Sequence, residues 1–104
     1  MSTYRILPEA LAELDEASTW YEEHDEGLGL DLLGEYRERL AFALKMPQAG
    51  ALAGKTPGGA EIRRFRLKRF GRYAIVMARI DDRPTVLAFE HSSRRPGYWR
   101  ERLG

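Results

Sequence analysis

The sequence predicts an α+β fold, a small antiparallel-dominated four-stranded sheet with an N-terminal helical hairpin on one face, in the order β-α-α-β-β-β. Three observations carry that prediction. Apolar residues recur at helical spacing through the first half of the chain, alternate at period two in residues 61–68 and 85–91 around a run that is apolar on both faces, and the two halves are separated by a Gly- and Pro-rich stretch. The chain has 104 residues, 43% of them hydrophobic and 32% charged, which suits one folded domain, 1–104, and leaves no room for a second core.

Residues 3 to 7 read as a short strand, with Tyr4 and Ile6 on one side, ended by Pro8. Pro8 at a helix N1 position and Glu9 in the first turn start a helix that runs to about His24, with Ala10, Leu14, Ala17 and Tyr21 on its buried stripe. Gly27 and Gly29 break it. A second helix follows on Leu33, Tyr36, Leu40, Ala43 and Leu44 and ends at Met46, which Pro47 disfavours in a helix. So short a connection makes the two an antiparallel hairpin.

Residues 47 to 60, with four glycines and two prolines, read as a loop. Residues 61 to 68 alternate as a strand, placing Arg63, Phe65 and Leu67 on one face and Arg64, Arg66 and Lys68 on the other. Residues 72 to 80 are apolar on both faces, the pattern of a central strand. After the turn at residues 81 to 84, a last strand carries Thr85, Leu87, Phe89 and His91 on one face and Val86, Ala88 and Glu90 on the other. If Phe65 and Leu67 face the helices, the opposite sheet face is open, with an apolar trough around Val76 beside a row of cations. Such incomplete surfaces await a partner.

The net charge of +1 conceals a division along the chain. Residues 1 to 46 hold four basic and eleven acidic side chains, a net of −7, and residues 47 to 104 hold thirteen and five, a net of +8. An anionic partner for the second half is the expectation. There are no cysteines, which excludes disulfides and thiolate chemistry. The acidic N-terminal region and the absence of a long apolar run predict a soluble, cytoplasmic protein that does not enter a membrane.

Two other patterns carry no cofactor or metal. Gly50 to Thr56 mimics a phosphate-binding loop but has three residues between its glycines where four are needed, and Pro57, Gly58 and Gly59 stand where a helix must begin. Glu22, Glu23, His24, Asp25 and Glu26 are ligand types, but consecutive helical residues fan outward and read as a solvated helix end. The tail from His91 to Arg100 is denser in function. Arg94, Arg95 and Arg100 stand with Tyr98 and Trp99, a combination that grips phosphate and stacks on bases, while Trp99 also has the area to pin the C-terminus onto the core.

At this tail the chain resembles the RelE/ParE superfamily of toxins from bacterial type II toxin-antitoxin modules, of the ParE-like, plasmid-stabilisation type. The resemblance runs through Ala17-x-x-Trp20-Tyr21-Glu22, Gly27-Leu28-Gly29, Ile62-Arg63-Arg64, Arg69-Phe70 with Tyr73, and His91-x-x-Arg94-x-Pro96-x-Tyr98-Trp99. It implies a toxin that forms a hetero-oligomer with a cognate antitoxin and is neutralised by it, through a partner surface of Arg63, Arg64, Arg66, Lys68, Val76, Arg94 and Trp99.

RelE-like members cleave mRNA on the ribosome, and ParE-like members poison DNA gyrase. Under the nuclease alternative the resemblance assigns the chemistry to Arg64, Arg66, Arg94 and Tyr98, with His91 as a candidate acid or base. However, Ala74 stands where a third-strand arginine is expected, and Glu90 and His91 point to opposite faces of their strand. These features favour the gyrase-directed, non-enzymatic inhibitor. A degenerate toxin retaining only antitoxin binding is the remaining alternative.

Overall fold

The computed structural model describes residues 3–103. The chain is α+β, in the order β1 (Arg5–Ile6), α1 (Pro8–His24), α2 (Leu28–Lys45), a 3₁₀ turn (Pro47–Ala49), β2 (Ala51–Lys55), β3 (Glu61–Arg66), β4 (Tyr73–Ile80), β5 (Arg83–His91) and a C-terminal 3₁₀ segment (Tyr98–Leu103). The five strands form one sheet in the order β1-β5-β4-β3-β2, antiparallel except for the short parallel pairing of β1 with β5.

The sheet therefore has one strand more than the sequence predicts. The extra strand, β2, lies inside the stretch read as a loop, where Gly54 at a positive φ and a register shift between Leu52 and Gly54 interrupt the alternation that would have revealed it. This placement also disposes of the phosphate-loop mimic, since Gly54 and Lys55 lie in a strand.

Helix α1 starts as expected, with Pro8 in its first turn and Ala10, Leu14 and Ala17 buried. Helix α2 starts earlier than expected, at Leu28, and Gly29 is inside it rather than a breaker. Close approach explains the glycine. A Cβ on Gly29 would stand 2.5 Å from the Ser18 carbonyl oxygen of α1, so only a bare backbone lets the helices meet there. Gly27 adopts a left-handed φ of 87° at the N-cap, and Glu22 completes the cap by accepting from the amides of Gly27 and Gly29 at 2.9 and 3.0 Å. The acidic helix end thus has a structural use for one of its carboxylates.

Between α1–α2 and the sheet lies the larger core, which includes Leu14, Leu32, Tyr36, Leu40, Phe65, Ile75, Val86 and Phe89. The opposite sheet face is not open. Ile62, Val76, Ala78, Leu87 and Ala88 form a second cluster there, closed by Trp99 at 0% exposure. The C-terminal segment folds back to cover the trough that the sequence leaves empty.

In β5 a bulge at Leu87 changes the expected faces. Val86 pairs with Met77 and Ala88 with Val76, so Leu87 is the extra residue. Leu87 therefore joins Ala88 on the Trp99 side, while Val86 and Phe89 face the helices. The hairpin between β4 and β5 is tighter than the four-residue turn expected, with Asp81 and Asp82 at φ 51° and 60° as a two-residue turn demands.

Candidate functional site

The side chains with chemical potential gather where α1, the ends of β4 and β5, and the C-terminal segment meet. Glu13 on α1 is the anchor. Its Oε1 accepts from the Phe89 amide at 3.0 Å and Arg102 Nη1 at 3.0 Å, and its Oε2 from the Tyr98 hydroxyl at 2.7 Å and Arg102 Nη2 at 2.8 Å. Arg94 approaches the same oxygen at 3.7 Å and lies 3.8 Å over the Tyr98 ring. Burial would raise the Glu13 carboxyl, but hydrogen bonds from Arg102, Tyr98 and Phe89, with the Arg102 charge, outweigh it and hold the group below its ordinary value. Burial, and then the bond to Glu13 and its charge, push the Tyr98 phenol up.

Sheet topology explains the arrangement. Strand β1 is only two residues long and covers only the Thr85–Val86 part of the β5 edge. Beyond it, Glu13 takes the Phe89 amide, and Arg102 donates to the Leu87 carbonyl at 2.9 Å. Two side chains thus complete an edge that lacks a strand. Sequence reasoning missed both residues. The available signal was a glutamate on the margin of the stripe formed by Ala10, Leu14 and Ala17, where a carboxylate is retained only if something pairs with it.

Beside this anchor opens a cleft of 610 Å³ whose walls include Trp20, Arg72, Tyr73, His91, Arg94 and Tyr98. The structure thus brings three of the candidate residues, His91, Arg94 and Tyr98, into one cleft. His91 has a defined role there. The Ser93 amide donates to His91 Nδ1 at 3.0 Å, with the Ser93 hydroxyl 2.7 Å from the same nitrogen, so the proton of the neutral ring is on Nε2. The ring offers a donor at Nε2 and has its basic nitrogen occupied. The cleft sets Arg72 and Arg94 for an anion beside the aromatic rings of Trp20 and Tyr73, with the Glu16 carboxylate in the same lining.

The remaining candidates lie elsewhere. Arg64 is on the opposite sheet face, where its Nε donates to Glu90 at 2.6 Å, and Glu90 also accepts from Trp99 Nε1 at 3.0 Å. Arg66 donates to the Gly71 carbonyl at 3.0 Å. Lys68 is past the end of β3, in a turn where Glu35 accepts from the amides of Lys68, Arg69 and Phe70, so the expected cationic row is broken after Arg66. Arg63 faces the helices with Phe65, held by Gly50 and Glu61. Val76 and Trp99, expected on the partner surface, are both fully buried, because the C-terminal segment occupies the face that the sequence leaves open.

Among the described residues, no group of His, Cys, Asp or Glu side chains is placed to hold a metal ion, and no helix is long and apolar enough to cross a membrane. No family model matches the chain, and no curated protein matches it.

Proposed function

We propose that the chain is the toxin of a bacterial type II toxin-antitoxin module, cytoplasmic, bound and neutralised by a cognate antitoxin, and that it arrests growth by binding DNA gyrase rather than by cutting RNA. One observation carries the choice of target. Three of the five groups that RNA cleavage would draw on are engaged in holding the fold: the Tyr98 hydroxyl on Glu13, Arg64 on Glu90, and His91 Nδ1 on Ser93. Ala74, where the family resemblance leads one to expect an arginine, is buried. A binding inhibitor needs surface and not acid-base chemistry.

The ribosome-dependent endoribonuclease is the second reading, favoured by the meeting of His91, Arg94 and Tyr98 in a cleft with Arg72. The two readings separate in paired assays on one refolded, antitoxin-free sample. Gyrase with supercoiled plasmid is expected to yield trapped, cleaved plasmid, and ribosomes programmed with mRNA are expected to leave the message intact. Intact plasmid together with cut mRNA, the cutting abolished by Arg94→Ala or Tyr98→Phe, would overturn the gyrase reading. Inactivity in both assays with antitoxin binding retained would mark a degenerate toxin.

A further inference from the structure

The cleft beside Glu13 is lined by two carboxylates, Glu13 and Glu16, and two guanidiniums, Arg72 and Arg94, so its formal charge is balanced. The four groups are not equivalent. Arg94 approaches Glu13 at 3.7 Å and rests on the Tyr98 ring, while Glu13 is held further by Arg102 at 2.8 Å. Those two are engaged in the fold. Among the described residues, Glu16 and Arg72 make no ion pair, either with each other or with a neighbour, although both line this cleft.

Glu16 reaches the cleft from α1, at a rim shared with a shallow acidic depression on the outer side of Trp20. Burial, then the Tyr21 phenol, then the Glu16 charge push the Tyr73 phenol up, so the carboxylate acts on the cleft side of that rim. Arg72 comes from the sheet, one residue before β4. The rest of the lining is aromatic and fixed. Tyr73 stacks on the buried Phe89 with centroids 4.8 Å apart, and the half-exposed Trp20 stacks on His24 at 3.8 Å. Rings held in place before a ligand arrives lose little entropy when it binds.

We infer that this cleft binds a small zwitterion, a free α-amino acid with an aromatic side chain, with its carboxylate on Arg72, its ammonium on Glu16 and its ring against Trp20 and Tyr73. A simple anion would meet Arg72 but also the like charge of Glu16, and a simple cation would meet the reverse. A ligand carrying both signs answers both free groups. At 610 Å³ the cleft has the size of sites that enclose small molecules. The inference is independent of the toxin reading, whose gyrase and mRNA assays are run without the amino acid.

Titration of the isotope-labelled full chain with L-phenylalanine, followed by nuclear magnetic resonance, tests it. The expected result is a saturable shift of the Trp20 indole signal with a Kd of about 1 mM, while the signal of the buried Trp99 holds still. Phenethylamine, which lacks the carboxylate, and 3-phenylpropionate, which lacks the ammonium, should each bind about two- to fivefold more weakly, the worth of one exposed ion pair. Glu16→Gln should weaken L-phenylalanine and phenethylamine by that factor without weakening 3-phenylpropionate. Arg72→Gln should weaken L-phenylalanine and 3-phenylpropionate and spare phenethylamine. Both side chains are exposed, so far-UV circular dichroism should be unchanged in the variants. No saturable shift up to about 20 mM would overturn the inference. So would an analogue that binds as tightly as L-phenylalanine, or L-phenylalanine binding indifferent to either substitution.

Discussion

Glu13 shows how much one carboxylate can organise. It joins α1 to the β5 edge through the Phe89 amide and to the C-terminal segment through Tyr98 and Arg102. Replacing it by Gln removes the charge that faces Arg102 and should cost about 2 kcal/mol in urea denaturation, near the low end for breaking a half-buried charged network. The pH dependence has a definite sign. Because the folded-state carboxyl titrates below its ordinary value, its stabilisation is complete above the ordinary carboxylate range and is lost as pH falls through the lower folded value. Wild type should thus lose stability on acidification across that window, and Glu13→Gln should flatten that limb of the profile. An unchanged acid limb in the variant would show that other carboxylates control it. His91 was legible in the sequence as a candidate, but its state was not, since the Ser93 contact that fixes the tautomer depends on the turn after β5.

At the scale of elements, the two helices, the β3–β4–β5 core of the sheet and their order follow from periodicity, which is a property of neighbouring residues. What periodicity misses has a local cause in each case. The bulge at Leu87 reverses the parity of the strand, and the register shift after Leu52 hides β2 within a Gly-rich stretch. Gly29 reads as a breaker because the sequence cannot show that another backbone passes beside it. Two glycines of α2 therefore behave oppositely on substitution. Gly29→Ala should destabilise the protein by about 1–3 kcal/mol, since the new Cβ would meet the Ser18 backbone at 2.5 Å. Gly34→Ala has no heavy atom within 4 Å of its new Cβ and should stabilise by about 0.5–1 kcal/mol through helix propensity. Chemical denaturation of both variants measures the contrast, and equal effects would refute the close-approach account.

At the scale of the molecule, the C-terminal segment turns a two-layer arrangement into a sheet covered on both faces. It is secured from two sides, by Glu90 through Trp99 and by Glu13 through Tyr98 and Arg102. Trp99→Ala should cost about 3–5 kcal/mol, the range for deleting a large buried aromatic side chain, and should raise binding of a hydrophobic dye as Ile62, Val76 and Leu87 become exposed. Thermal melting together with dye fluorescence would detect both. A cost below about 1 kcal/mol would mean that the segment is only lightly attached.

The sequence by itself determined the fold class, the two helices and the segregation of charge, because these are written in composition and in spacing between near neighbours. Tertiary structure decided what the charge is for. Glu13 meets Arg102, Asp31 meets Arg69, and Glu35 meets the amides of residues 68 to 70, so three of the eleven acidic residues of the first half are engaged by the second half within one molecule. An ion pair depends on distance in space, and the two pairs named are separated by 38 and 89 residues along the chain.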